Sequence, residues 1–195
     1  MSAALKHPPA RMTVAEFREW DSGDISGQRW QLVDGEPVAM APASDNHGSI
    51  QSELGYLLTA HLIAKGSTCR VVTTPGIIPR VREADNWRIP DLGVTGTPST
   101  GSVDVPDTML LVEILSPNNY RETRANVWTY TTVPSVREIL VLHSTRIEAE
   151  LLRRQPDGSW PERPLVLRDA EALTLDSVGL TLPVRAAYRT TSLAA

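Results

Sequence analysis

One cysteine, Cys69, stands among 195 residues, so no disulfide forms within the chain and no cysteine-based zinc site can be built. That usage fits a reducing, cytoplasmic setting. No apolar run approaches the roughly 18 residues that read as a membrane span. The opening segment MSAALKHPPARM lacks the apolar stretch of a secretion signal. Phenylalanine occurs once and tyrosine four times, which leaves the core to aliphatic side chains. A basic excess is also missing: the formal net charge is −4, so no global field drives nucleic-acid binding, and any such contact must come from a local arginine cluster. Lysine is nearly absent. Lys6 and Lys65 stand against seventeen arginines, and no lysine follows residue 65.

What is present is ordinary for a globular protein, with 41% hydrophobic and 22% charged residues. The length predicts one domain, over 12–188, between a loose arm (1–11, with Pro8 and Pro9) and a short tail (189–195). Thr13 and Glu16 form a capping-box pattern that opens a short helix. Trp30–Val33, Asp34-Gly35 and Glu36–Met40 read as a hairpin, because Asp-Gly suits a tight turn. Ser44 or Asn46 caps the strongest helix, with Ile50, Leu54, Leu57, Leu58, His61 and Leu62 on one stripe, Lys65 in the last turn and Gly66 as the stop. The period then changes. Cys69–Thr74, Ile77–Arg82 and Arg88–Val94 read as strands, with Asp85-Asn86 turning the second into the third. Ser99–Pro106 is a polar loop. Met109–Leu115 and Arg137–His143 read as strands buried on both faces, joined by a helix over 121–132. A meander of short strands closes the chain: Ile147–Arg153, then segments around Val166, Leu173 and Leu180.

Glu113 interrupts the apolar run MLLVEIL. A carboxylate inside a buried strand is costly unless it is paired or bound to a cation. An ion pair with arginine is one solution; a metal near the strand's C-terminal end is the other. Asp91 follows Pro90, which keeps the chain extended and breaks regular pairing. Two hard oxygen ligands on adjacent strands suit Mg²⁺ or Mn²⁺, and the matching chemistry is metal-assisted phosphodiester hydrolysis.

The motifs Met-Thr-Val-Ala-Glu-Phe at 12–17, Trp30–Glu36, Met40-Ala41-Pro42 followed by His47, Pro90-Asp91, Val112–Pro117, and Tyr130 before Pro134–Glu138 occur in this order from Met12 to about Leu182. In order and spacing they resemble the Uma2 family of the PD-(D/E)XK nuclease superfamily. The resemblance implies an α/β (α+β) fold, a restriction-endonuclease-like mixed sheet flanked by helices with extra N- and C-terminal strands. It implies a metal held by Asp91 and Glu113, nucleic acid as substrate (DNA in preference to RNA), and a bacterial homodimer.

The chain departs from the family pattern at two charged positions. The early glutamate is Gln31, and the helical lysine four residues before Tyr130 is Asn126; the superfamily's motif lysine, two after Glu113, is Leu115. Electrostatic stabilisation is usually the largest catalytic term, so losing the lysine is serious unless another cation replaces it. Arg121 and Arg124 offer nucleic-acid contacts or a solvated helix face, and Lys65 complements a helix C-terminus. His47, at the start of the long helix, either touches the site or serves the helix start. His61 and His143 read as structural, Trp30 and Trp128 as core in preference to base-stacking platforms, and Arg80, Arg82 and Arg88 flank one hairpin, as solvated edge charges or as phosphate contacts. Ser116 lacks evident partners for a nucleophilic triad. Two functions follow: a metal-dependent endonuclease with a degenerate site, or a nuclease-fold protein that no longer cuts and binds nucleic acid or protein.

Overall fold

The computed structural model describes residues 11–194; the expected arm lies outside them except for Arg11. The Thr13 hydroxyl accepts the Glu16 N–H at 3.3 Å while the Glu16 carboxylate accepts the Thr13 N–H at 2.7 Å, which starts α1 (Val14–Glu19). Strands β1 (Trp30–Val33) and β2 (Glu36–Ala39) meet at Asp34 and Gly35, with φ of 50° and 85°, the left-handed pair that a two-residue hairpin turn demands. Ser44 caps α2 (Asp45–Ala64) by accepting the His47 N–H at 3.3 Å. There follow β3 (Arg70–Thr73), β4 (Leu92–Thr95), β5 (Thr108–Leu115), a 3₁₀ turn (Pro117–Asn119), α3 (Tyr120–Tyr130), β6 (Glu138–His143), β7 (Glu148–Arg153) and β8 (Leu165–Arg168). A second hairpin, β9 (Ala172–Leu175) and β10 (Leu180–Pro183), and a 3₁₀ segment at Val184–Tyr188 complete the elements.

Strands β3 to β8 form one six-stranded sheet in chain order. Every pairing is antiparallel except β5 with β6, where the 3₁₀ turn and α3 supply the crossover that a parallel pair requires. Side chains alternate across this sheet. Leu110, Val112 and Ile114 of β5 pack beneath α2, against Ile50, Leu54, Leu58 and Leu62. Leu111 and Leu115 pack on the other face with Val127 and Tyr130 of α3. Burying each such side chain contributes about 1.5–3 kcal/mol. The same alternation puts Glu113, between Leu111 and Leu115, on the α3 face. A smaller cluster of Met12, Val14, Phe17 and Leu32, edged by Trp20, Trp30 and Trp87, ties the first hairpin to α1.

The expected strand at Ile77–Arg82 does not form. Ile77 makes only an isolated bridge to Arg88, Pro75 and Pro79 withhold donors, and Arg82 turns with φ of 47°. The strand expected over Arg88–Val94 begins only at Leu92, because Pro90 breaks the ladder. Upstream, Trp87 bridges Leu32, so this irregular segment fastens the first hairpin to the molecule. Trp128, expected in the core, is 72% exposed: Thr123, Asn126, Val127 and Tyr130 face inward, leaving 128 on the outer side of α3. Among the described residues no helix is long and apolar enough to cross a membrane.

Candidate active site

The antiparallel register pairs Leu92 with Val112, so Asp91, the residue before β4, comes to lie beside Glu113. The Asp91 Oδ2 accepts the N–H of Ile114 at 2.6 Å, which fixes its carboxylate against β5. Its Oδ1 lies 2.8 Å from His47 Nε2, at the start of α2. Gln51, one helical turn further on, donates to the Asp91 main-chain oxygen at 2.8 Å. Asp91 and Glu113 are both buried, yet both line a cavity of about 310 Å³ that also takes in His47, Ser116, Glu122 and Asn126.

Glu113 is held from α3. Its Oε1 accepts the Tyr130 hydroxyl at 2.7 Å and the Asn126 amide N–H at 3.2 Å. No protein donor reaches its other oxygen among the described residues. Residues 122, 126 and 130 are spaced by four and share one helix face. That face brings a third carboxylate, Glu122, into the cavity, where it accepts from Gln31 Nε2. Gln31 Oε1 is buried with no donor. Burial raises the Glu113 pKa well above the usual carboxylate range, and the neighbouring Asp91 charge adds to this against the Tyr130 and Asn126 hydrogen bonds. Glu122 is raised too, by burial first, while Arg88 and Gln31 oppose the shift. Burial and the Glu113 charge also push the Tyr130 hydroxyl up, so it stays a donor.

Sequence reading missed three of these participants. Glu122 was detectable from its four-residue spacing with Asn126 and Tyr130. Arg88, expected at an exposed edge, is only 3% exposed; its guanidinium donates to Asn126 Oδ1 at 3.3 Å and to Asn86 Oδ1 at 2.9 Å. The partners that Ser116 lacked in sequence are present in space: His47 Nδ1 lies 3.3 Å from Ser116 Oγ, with Asp91 on the other ring nitrogen. Serine chemistry is still disfavoured, because Glu113 and Glu122 line the same cavity and would repel a developing oxyanion.

The remaining candidates lie elsewhere. Arg124 makes a bidentate pair with Glu150 at 2.5 and 2.7 Å, which docks α3 on the sheet. Arg121 is exposed on the first turn of α3, with no ion-pair partner among the described residues. Lys65 caps α2 and lies next to Gly179. His61 bonds the Val178 carbonyl at 3.1 Å. Another group with metal-ligand chemistry, His143, Glu148 and Glu150, is already neutralised by Arg124, Arg146 and Arg168. Asp91 and Glu113 have no arginine or lysine within ion-pair distance among the described residues, so their oxygens fit a divalent cation better than that paired cluster does.

The family profile described as "Uma2: Putative restriction endonuclease" matches residues 14–185. "Uncharacterized protein slr1290" of Synechocystis sp. (strain ATCC 27184 / PCC 6803 / Kazusa) is 29% identical over 196 residues, which cover 95% of this chain and 97% of that protein. A crystal structure described as a "putative nuclease belonging to DUF820" from Anabaena variabilis ATCC 29413 aligns with a TM-score of 0.73 at 14% identity, covering 91% of this chain and 97% of that one. The mixed six-stranded sheet is therefore a restriction-endonuclease-like fold shared with that structure. With the profile spanning α1 to the final 3₁₀ segment, the chain belongs to the Uma2 family.

Proposed function

We propose that the chain is a metal-dependent endonuclease in which Asp91 and Glu113 hold one Mg²⁺ or Mn²⁺ ion. The observation that carries this reading is a pair of buried carboxylates, side by side, opening on one cavity with no arginine or lysine of the described residues within ion-pair distance. Their mutual repulsion is relieved by a divalent ion. Such an ion, when bound, polarises a phosphodiester and acidifies water. The chain's own residues do the rest. Ile114 N–H and His47 orient Asp91, Tyr130 orients Glu113, and Asn126 offers an amide N–H to the cavity. Glu122 stands where Gln31 has lost the family acid. The family description favours DNA over RNA, and exposed Arg121 is available to a backbone phosphate. A cytoplasmic homodimer remains part of this reading.

The test is cleavage of plasmid and single-stranded substrates under Mn²⁺. Cleavage is expected to need the metal and to vanish in Asp91→Ala. Failure to cut any DNA or RNA contradicts it.

The neutral pair Gln31 and Asn126 favours a second reading, a nuclease-fold protein that binds without cutting. It predicts partner binding that survives Asp91→Ala. A wild type that is inert while Asn126→Lys cuts would support it.

A further inference from the structure

Arg88 is a buried cation without a contact counter-charge among the described residues. Its guanidinium is held by two neutral amides, Asn126 and Asn86, and its Nε has no acceptor among the described residues. Burying an unpaired charge is costly, and burial does lower the Arg88 pKa, but arginine stays protonated near neutral pH. The carboxylates that oppose it, Asp34, Glu122 and Glu113, act through space. Two of these, Glu113 and Glu122, line the cavity. The arrangement also has a fixed polarity. Guanidinium only donates, so Asn126 must turn Oδ1 towards Arg88 and its NH₂ towards Glu113. One of those N–H groups meets Glu113. The other has no protein acceptor among the described residues, and Asn126 lines the cavity.

We propose that Arg88 is the cation of this site: acting through Asn126, it takes over the positive potential that the family places on a helical lysine, and it favours a phosphate group in the cavity. Arg88 is thus a positioning residue, since its guanidinium meets the ligand only by way of the Asn126 amide. The charge sits on the irregular segment before Pro90, and its neutral relay, Asn126, stands on α3 at the position of the lysine. The proposal rests on the nuclease reading for its ligand class.

The test uses the full chain, a short fluorescent DNA duplex, and three readouts: duplex affinity in EDTA, cleavage rate under Mn²⁺, and Mn²⁺ affinity by calorimetry. Arg88→Gln keeps an N–H for Asn126 and removes the charge. Duplex affinity should fall several-fold and cleavage about 100-fold. Mn²⁺ affinity should hold or rise, because a positive neighbour of the carboxylates is gone. A merely structural arginine would lower all three together. Adding Asn126→Lys to Arg88→Gln should restore most of the lost rate. Arg88→Lys should keep both affinities, and it decides the matter if Arg88→Gln does not fold. Wild-type affinity and rate in Arg88→Gln overturn the proposal, as does a parallel loss of Mn²⁺ affinity that Asn126→Lys does not rescue. A wild type that binds duplex but neither binds Mn²⁺ nor cuts removes the metal reading alone, and the duplex affinity of Arg88→Gln still decides the role of Arg88. A wild type that binds no duplex overturns the role given to Arg88, and one that also cuts no DNA or RNA overturns both.

Discussion

At the scale of residues, Glu113 concentrates the tension of the site. Its folded-state pKa is raised, by burial first and by Asp91 second, so the folded protein holds a proton that the unfolded chain has already released. Below the ordinary carboxylate pKa of 4.5 both states are protonated and the residue contributes nothing. As pH rises through the raised folded value, the metal-free protein loses stability. Glu113→Gln should therefore raise the melting temperature of the metal-free protein at neutral and higher pH, and the gain should vanish in acid. Thermal unfolding across pH checks this, and a pH-independent effect would contradict it. Glu113 was legible in the sequence because a carboxylate inside MLLVEIL demands an explanation. Asp91 was legible because Pro90 breaks regular pairing and presents it at the beginning of a strand. Arg88 was not. Nothing in its flanking residues reports that a long side chain runs inward to Asn126, and an arginine near a turn reads as solvated.

Among elements, α3 decides the site, since it delivers Glu122, Asn126 and Tyr130 on one face. Its docking depends on Arg124, which bridges to Glu150 while His143 holds the same carboxylate at 2.7 Å. Arg124→Met should cost about 1.5–3 kcal/mol, the range for hydrogen bonds to a charged partner. Denaturant unfolding measures this, and an unchanged midpoint would show that α3 docks without the pair. The main elements were legible from local signals: the Thr13 capping box, the Asp34-Gly35 turn, the Ser44 cap and the two apolar runs that became β5 and β6. The region from 77 to 90 was not. Its β-like composition is overruled by Pro75, Pro79 and Pro90, and its isolated bridges depend on partners distant in sequence, such as Leu32 with Trp87. The Ser116–His47–Asp91 string was hidden for the same reason, its members being brought together from the end of β5, the start of α2 and the residue before β4 only on folding.

For the molecule as a whole, the two core layers close without any help from the site. Leu110, Val112, Ile114 and α2 fill one side, and Leu111, Ile139, Val141 and α3 the other. The carboxylates sit where these layers meet the first hairpin, so the fold carries the site and gains little stability from it until a ligand binds. The acidic net charge of −4 is consistent with a substrate drawn in by a local feature and a bound ion, not by a basic surface. Among the described residues two places have metal-ligand chemistry, and they differ in what already neutralises them. His143, Glu148 and Glu150 are already matched by arginines, whereas Asp91 and Glu113 have no arginine or lysine within ion-pair distance among the described residues and are the pair proposed to take the ion. The most direct test is anomalous diffraction at the manganese edge from crystals soaked in Mn²⁺. The account predicts a peak between the Asp91 and Glu113 carboxylates at about 2.0–2.2 Å from their oxygens, lost in Asp91→Ala. No peak there, or one only at His143, Glu148 and Glu150, would contradict it.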